Sequence, residues 1–489
     1  MKKYILIILC CLTSFPLWSY NVNMIVEHYS VDQGLPNNTV NCTLKDRDGF
    51  IWFGTWYGLC CFDGVKFKTF NKQEHDSDVP PRKIQRIVED KNGYIWVKTI
   101  DRKLYVFNKV TECFHAVYDD MKNYSENIQV IKLQNTAEGD VLLLTKDKNL
   151  LLAGVDEKGQ VTIKILFDSR DEINKHDYTL KHHVLCETEE YISWIGTDYK
   201  VSAVHKGAEL ASRPADFITS KINSGDKDSF TSFFEDGRKV WVGDRAGIFY
   251  SIDVRTGLVN RYVLSEIKGA ISNLLVTPAG YVYLSVAGQG TYEYDLAERR
   301  LQKINTEMND AMVTHAFIDQ YDKIWFHENE KALIYYDPLN HTAKRFPFTM
   351  FGKITTLYSE DAGERGLFFL SPAGEAWLFD REHVEMVYIN KLKQLSNDRA
   401  NQQFYHLMLD NDGVLWLSSA DEGVYCMNFP KKQFNLLSLS PQSAGRENYA
   451  TGVRALFQSK SGDIWVGTRW QSVYRMDRNG VTKHVFSTG

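Results

Sequence analysis

From Val40 to Phe70 the chain reads VNCTLKDRDGFIWFGTWYGLCCFDGVKFKTF, and its apolar positions fall into four short runs. Val40 to Leu44 alternates, Ile51 to Gly54 follows a polar turn at Asp46 to Gly49, and Leu59 to Phe62 follows a second turn ending at Gly58. Asp63-Gly64 then turns the chain into Lys66 to Phe70. Period-two alternation broken by Asp-Gly and Gly turns predicts antiparallel strands joined as hairpins. Four such strands in about 40–45 residues make one blade of a β-propeller.

The pattern recurs along the chain. DKNGYIW (Asp90 to Trp96), EDGRKVW (Glu235 to Trp241), YDKIW (Tyr321 to Trp325), DNDGVLW (Asp410 to Trp416) and SKSGDIW (Ser459 to Trp465) repeat the first turn and second strand. WIGTDY at Trp194 is a variant copy, and weaker copies centre on Leu142, Tyr283 and Phe368. The second-strand position therefore recurs at 52, 96, 142, 194, 241, 283, 325, 368, 416 and 465, at intervals of 42 to 52 residues. Ten units predict an all-β chain of four-stranded antiparallel blades. A lone blade cannot bury both faces, and stacking blade on blade around an axis does. A Trp on the second strand fills the wedge between neighbours and buries about 200 Å². These Trp residues are therefore structural, and Gly54 allows close approach of backbones.

Rings ordinarily hold four to eight blades. The expected partition is a seven-bladed propeller over residues 22–346, followed by an incomplete second propeller over 347–489 made of three blades. The strand-like stretch Met24 to Tyr29 is expected to close the first ring against its last blade. Ahead of it, Lys2-Lys3, the apolar run Tyr4 to Leu12 and small residues up to Ser19 have the form of a signal peptide, residues 1–19. That run is too short to span a bilayer as a helix, which takes about 20 residues.

Composition adds three constraints. Aromatic residues are 13% of the chain, in keeping with strands. A net charge of −5 gives no basic footprint for nucleic acid. The six cysteines after the leader (Cys42, Cys60, Cys61, Cys113, Cys186, Cys426) show neither C-x-x-C nor a His at metal spacing, so no metal or cofactor is expected.

The stretch His28 to Gly64 carries Gly34-Leu35-Pro36, Val40, and then D-x-x-G-x-I-W-x-G-T-x-x-G-L. IWVGT at Ile464 to Thr468 repeats its core, while units three, four, six and eight depart from it. This resembles the two-component-regulator propeller family, the periplasmic sensor region of Bacteroides-type hybrid two-component systems. The resemblance implies two seven-bladed propellers followed by a β-sandwich, a membrane helix, a histidine kinase and a response regulator with a DNA-binding domain. It implies a periplasmic region that detects an oligosaccharide from a complex glycan, acting as a homodimer. The kinase parts have no counterpart in these residues.

Catalytic signatures are not legible. G-x-S-x-G, H-E-x-x-H, a P-loop and G-x-G-x-x-G do not occur. The sialidase-type turn fails because Arg47 stands at its Asp position. No catalytic residue is assigned and the chain is not expected to be an enzyme. A propeller lyase or hydrolase, and a protein-binding scaffold, stay open because fold does not fix function.

Propeller ligands commonly sit on loops at one mouth of the ring. The turns between second and third strands place Trp56, Tyr57, Asp101, Arg102, Asp198, Tyr199, Asp244, Arg245, Gln289, His327, Arg469 and Trp470 on one face. Aromatic rings stack on sugars, Arg, Asp and Gln bond to hydroxyls, and the Arg residues suit an acidic sugar. The plainer reading of each is a solvated turn residue. Trp56 is singled out because it lies outside the repeat's packing position.

Overall fold

The computed structural model describes residues 25–70, 81–121, 129–146, 149–167, 180–187, 190–196, 200–206, 217–221, 230–304, 313–328, 331–348, 358–361, 366–371, 376–389, 404–428, 453–469, 472–477 and 482–487. The leader and Met24 lie outside these. The described residues form ten four-stranded antiparallel sheets, one per sequence repeat. In the first, Val40–Lys45, Ile51–Thr55, Gly58–Phe62 and Phe67–Phe70 pair in sequence order. The fold is an all-β propeller architecture, as the repeat predicts.

The repeat exists because its turn and its strand are chemically coupled. Asp46 Oδ1 accepts the Asp48 and Phe50 backbone N–H at 3.0 and 2.9 Å and so closes the first turn. Its Oδ2 accepts the Trp52 indole N–H at 2.7 Å. The same bond joins Asp90 to Trp96 at 2.9 Å, Asp236 to Trp241 at 2.7 Å, Asp319 to Trp325 at 3.2 Å and Asp410 to Trp416 at 3.1 Å. A buried indole N–H needs an acceptor, and one carboxylate supplies it while holding the turn.

A neighbouring blade then neutralises that carboxylate. Lys109 of unit two reaches Asp46 at 3.0 Å, Arg381 of unit eight reaches Asp319 at 2.5 Å, and Lys45 of unit one reaches Asp410 of unit nine at 3.4 Å. The Trp side chains lie in apolar clusters that join successive units. Trp52 packs with Ile84 and Phe107, Trp241 with Leu274 and Leu284, and Trp325 with Phe369 and Phe379. The expected wedge role of these Trp residues is the observed one. The Gly after the Trp is sterically required in two units. A Cβ on Gly54 would meet Cys42 Sγ at 2.5 Å and Ile84 Cγ2 at 2.6 Å, and one on Gly243 would meet Ser232 Oγ at 2.4 Å.

Ring closure differs from the seven-plus-three expectation. The opening strand Ile25–Tyr29 pairs antiparallel with Val424–Asn428 of unit nine, in register from Ile25 opposite Asn428 to Tyr29 opposite Val424. It does not join unit seven, whose outer edge is already covered by its own fourth strand, Thr342–Pro347. Unit nine contributes Phe404–Leu409, Val414–Ser419 and Val424–Asn428, and its outer edge is the one the opening strand fills. Unit nine also packs on unit one: Trp416 and Val424 share a cluster with Val40, Phe53 and Phe62, and Thr43 Oγ1 lies 2.6 Å from Ser418 Oγ. Leu35 of the Gly-Leu-Pro stretch is buried in that cluster, just after Gly34 ends a single helical turn at φ 106°.

The chain divides into two compact units, Met1–Phe429 and Pro430–Gly489, rather than at 346/347. The first holds nine of the sheets. The second holds one, Val453–Gln458, Ile464–Thr468, Ser472–Met476 and Thr482–Ser487, around a small core of Val466, Tyr474 and Met476. No described helix is long and apolar enough to cross a membrane.

Candidate functional site

In units one and two the second-to-third-strand turn is tied by backbone bonds to residues at the start of a first strand. Trp56 N–H donates to Thr39 O at 3.0 Å, and Trp56 O accepts from Lys83 N–H at 2.9 Å. Ile100 N–H donates to Lys83 O at 2.9 Å, and Arg102 O accepts from Val130 N–H at 3.0 Å. These bonds run from unit one to unit three and make a continuous rim. With the backbone used in this way, side chains at the rim are free to face solvent.

Of the expected site residues, Trp56 and Tyr57 fit best. They are 39% and 59% exposed, unlike the repeat's buried Trp residues. The Lys83 ammonium stands 5.2 Å from the Trp56 ring centroid, a cation–π distance. Next to it, Arg82, Lys83, Thr99, Ile100, Asp101, Lys103 and Tyr105 line an open groove of about 350 Å³. Asp101 accepts from Thr99 Oγ1 at 2.5 Å and pairs with Lys103 at 3.4 Å, and both partners of that ion pair are exposed. Burial, opposed and outweighed by the Thr99 hydrogen bond and the Lys103 charge, leaves Asp101 below the usual carboxylate range. Arg102 is exposed and has a left-handed backbone, φ 67°. In the corresponding turn of unit one that region is taken by Gly58 at φ 138°.

Other expected residues are occupied by the fold. Asp244 is buried and its Oδ1 accepts the Ala246 and Ile248 N–H groups at 2.9 and 2.8 Å, so it holds its own turn. Burial raises its pKa. Gln289 accepts from Lys268 N–H at 2.7 Å and donates to Glu266 O at 3.1 Å, fastening a turn to the segment before unit six. His327 lies on a strand, not a turn. Its Nδ1 is 2.7 Å from Thr314 Oγ1 and its ring packs against Phe348, while burial, with His315 nearby, lowers its pKa. Arg245 is exposed but lies in unit five, far along the rim from Trp56 in sequence. Arg469 is exposed in the second compact unit. Asp198, Tyr199 and Trp470 lie outside the described residues. Trp56, Tyr57, Asp101 and Arg102 lie in the adjoining turns of units one and two, and the other described positions belong to other units.

The groove residues Arg82, Lys83, Lys103 and Tyr105 were not among those expected. Arg82 and Lys83 precede a first strand, Ile84–Glu89, outside the second-to-third-strand turns. The adjacent basic pair was their only signal.

Among the described residues, one acidic trio, Asp46, Asp48 and Glu89, has oxygens close enough for a cation. The Lys109 ammonium already sits 3.0, 2.8 and 2.8 Å from them, so an amine of this chain holds the place. The described cysteines Cys42, Cys60, Cys61, Cys113 and Cys426 are free thiols. Burial pushes those of Cys42 and Cys426 up to about 12. These are inert packing groups rather than nucleophiles.

Residues 34–57 match the family described as two component regulator propeller. The match spans the Gly-Leu-Pro stretch, the Asp46–Trp52 turn and strand, and Trp56. Among solved structures, the chain is similar to the extracellular domain of a protein described as a hybrid two component system from B. thetaiotaomicron. The two are 15% identical, with 95% of this chain and 66% of that one covered and a TM-score of 0.32. A second such domain from the same organism is 16% identical over 94% of this chain and 66% of that one, with a TM-score of 0.31. BamB of Moraxella catarrhalis is 12% identical over 72% and 95%, with a TM-score of 0.43. The chain thus spans 66% of the length of the two hybrid-system domains. These likenesses concern the fold. No curated protein matches the chain.

Proposed function

We propose that this chain is the extracytoplasmic ligand-sensing region of a two component regulatory protein, exported by its leader, whose ligand is an oligosaccharide released from a glycan. The observation that carries this reading is the regulator-propeller repeat at residues 34–57. The exposed Trp56 and the adjoining groove support it, because an aromatic face beside hydrogen-bonding side chains suits a sugar ring. In this reading the region has no catalytic residue, and its signal passes to a linked histidine kinase, with the sensor working as a homodimer.

The test is thermal unfolding of the purified protein with a panel of neutral and acidic oligosaccharides. A ligand of the native state raises the melting temperature by mass action, by about 2.7 kcal/mol of stabilisation at a hundredfold excess over Kd. A concentration-dependent rise with one glycan class is expected. No shift across the panel refutes the oligosaccharide reading, and chain-shortening of a substrate during incubation refutes the non-enzymatic one.

A further inference from the structure

The rim of unit two carries more positive charge than its own carboxylates can answer. Arg82, Lys83, Arg86 and Arg102 are exposed and make no ion pair among the described residues. Lys98 occupies the place that Gly54 holds in unit one. It is only 6% exposed, and its ammonium donates to Gln85 Oε1 at 2.6 Å rather than to a carboxylate. Burial, with Arg102 nearby, lowers its pKa. Asp101 is the one carboxylate lining the groove, and Lys103 already pairs with it. In a chain whose net charge is −5, this concentration of cations is local, not a property of the whole surface.

The groove itself is not polar throughout. Ile100 and Tyr105 line it together with Lys83 and Lys103, whose long carbon stems carry apolar surface behind their ammonium groups. The exposed Trp56 ring lies next to the groove, against the Lys83 ammonium. Arg102 adopts a backbone region costly for a side chain, of order 1 kcal/mol or more. An apolar wall of about one sugar ring's size, edged by cations, fits a ring whose substituent is an anion. A bare anion has no use for the wall, and a neutral sugar has no use for so many cations.

We propose that this groove binds an anionic sugar unit, a uronate or a sulfated pyranose, with its ring along Ile100 and Tyr105 and its acidic group facing Arg82, Lys83 and Lys103. The proposal rests on the oligosaccharide-sensing reading and adds the ligand class and the place. Charge-assisted bonds from ammonium or guanidinium to a carboxylate or sulfate supply the selectivity.

Calorimetric titration of the full chain with trigalacturonate, a sulfated chondroitin disaccharide, maltotriose and inorganic sulfate tests it. One acidic saccharide is expected to bind at least about tenfold tighter than maltotriose, the worth of one charge-assisted bond, and to weaken as salt rises. Lys83→Gln and Lys103→Gln, both at exposed positions, are expected to cut that affinity several-fold each and the double variant more, with unfolding midpoints unchanged. Binding of maltotriose alone overturns the acidic class and leaves oligosaccharide sensing standing. Tight acidic binding that both variants retain overturns the place. Sulfate binding as tightly as the saccharides overturns the sugar, and binding of none of the four overturns the proposal outright.

Discussion

Asp46→Ala is the sharpest probe of what holds successive blades together. The Asp46 side chain is fully buried and accepts four hydrogen bonds, from Asp48 and Phe50 N–H, the Trp52 indole and Lys109. In the alanine variant water reaches the turn amides, and Lys109 keeps Asp48 and Glu89. The Trp52 indole N–H has no such escape, because Trp52 is only 3% exposed. An orphaned buried donor costs about 1–3 kcal/mol and each lost turn bond about 1 kcal/mol, so a loss of about 3–5 kcal/mol is expected. Lys109→Met removes the cation and leaves carboxylates facing each other across the unit one–unit two interface. Combined with Asp46→Asn in a double-mutant cycle, it is expected to show coupling of about 1 kcal/mol or more. Urea unfolding followed by Trp fluorescence measures each value. An Asp46→Ala loss under about 0.5 kcal/mol, or strict additivity in the cycle, refutes the latch. The latch is insensitive to pH near neutrality. Burial pulls the Lys109 pKa down, but its bonds to Asp48, Glu89 and Asp46 prevail and raise it above the ordinary lysine value, so its stabilisation is complete at neutral pH and fades only as pH rises through the raised value. Asp48, held down by the Lys109 hydrogen bond and charge, loses its share only as pH falls below the ordinary carboxylate range.

Three further outcomes are expected. Glu27 stands directly opposite Cys426 across the closing strands, so Glu27→Cys should form a disulfide with Cys426 on mild oxidation, read by peptide mass spectrometry; a thiol pair that stays reduced under those conditions rejects closure at unit nine. Gly54→Ala and Gly243→Ala, whose Cβ atoms would lie 2.5 and 2.4 Å from side-chain atoms, should each lower stability by about 1–3 kcal/mol, whereas Gly467→Ala, with its nearest neighbour at 3.4 Å, should cost less than either. Burial, with Arg86 nearby, holds His406 down at about 4, so its neutral form supports the fold above the ordinary value of 6.5 and that support drains as pH falls towards 4. His406→Leu should flatten the urea midpoint between pH 6.5 and 4.5 by about 1 kcal/mol per pH unit, and parallel wild-type and variant curves would dismiss the assignment.

The blades were legible in the sequence because their signal is local. Asp and Trp lie six residues apart in units one, two, seven and nine and bond directly, so neither varies without cost to the other. The weak copies follow the same chemistry. Thr136 and Thr277 hold their turns through Oγ1, and six residues on stand Leu142 and Tyr283 in place of Trp. A hydroxyl closes the turn without a second oxygen for an indole; unit ten, where Ser459 closes the turn, keeps its Trp465 only half-buried. Ring closure was not legible, since it depends on which outer edge lacks a local fourth strand. Spacing counts units but does not report that Thr342–Pro347 covers the edge of unit seven while unit nine's is filled by Ile25–Tyr29. Near the same turns in other units, Asp244 ends a second strand and Gln289 sits in a turn, and both are taken up by backbone N–H groups.

Units one and two meet at a single wedge whose two ends do different work. At the end formed by the first-to-second-strand turns, Lys109 binds Asp46, Asp48 and Glu89 and fixes the spacing of the blades. In an antiparallel blade the second-to-third-strand turns lie at the opposite end, and there Trp56, Lys83 and the groove wall face solvent. Between them Trp52, Phe70, Ile84 and Phe107 fill the interface with close ring contacts. A binding groove is selective only if its walls keep their distance, and a close-packed wedge pinned at its far end keeps it. The regulator-propeller repeat and the groove are thus consecutive parts of one construction. The Asp46–Trp52 pair that repeats along the chain sets the frame, and Trp56 and Lys98, which stands where unit one has Gly54, are departures from it at the groove end.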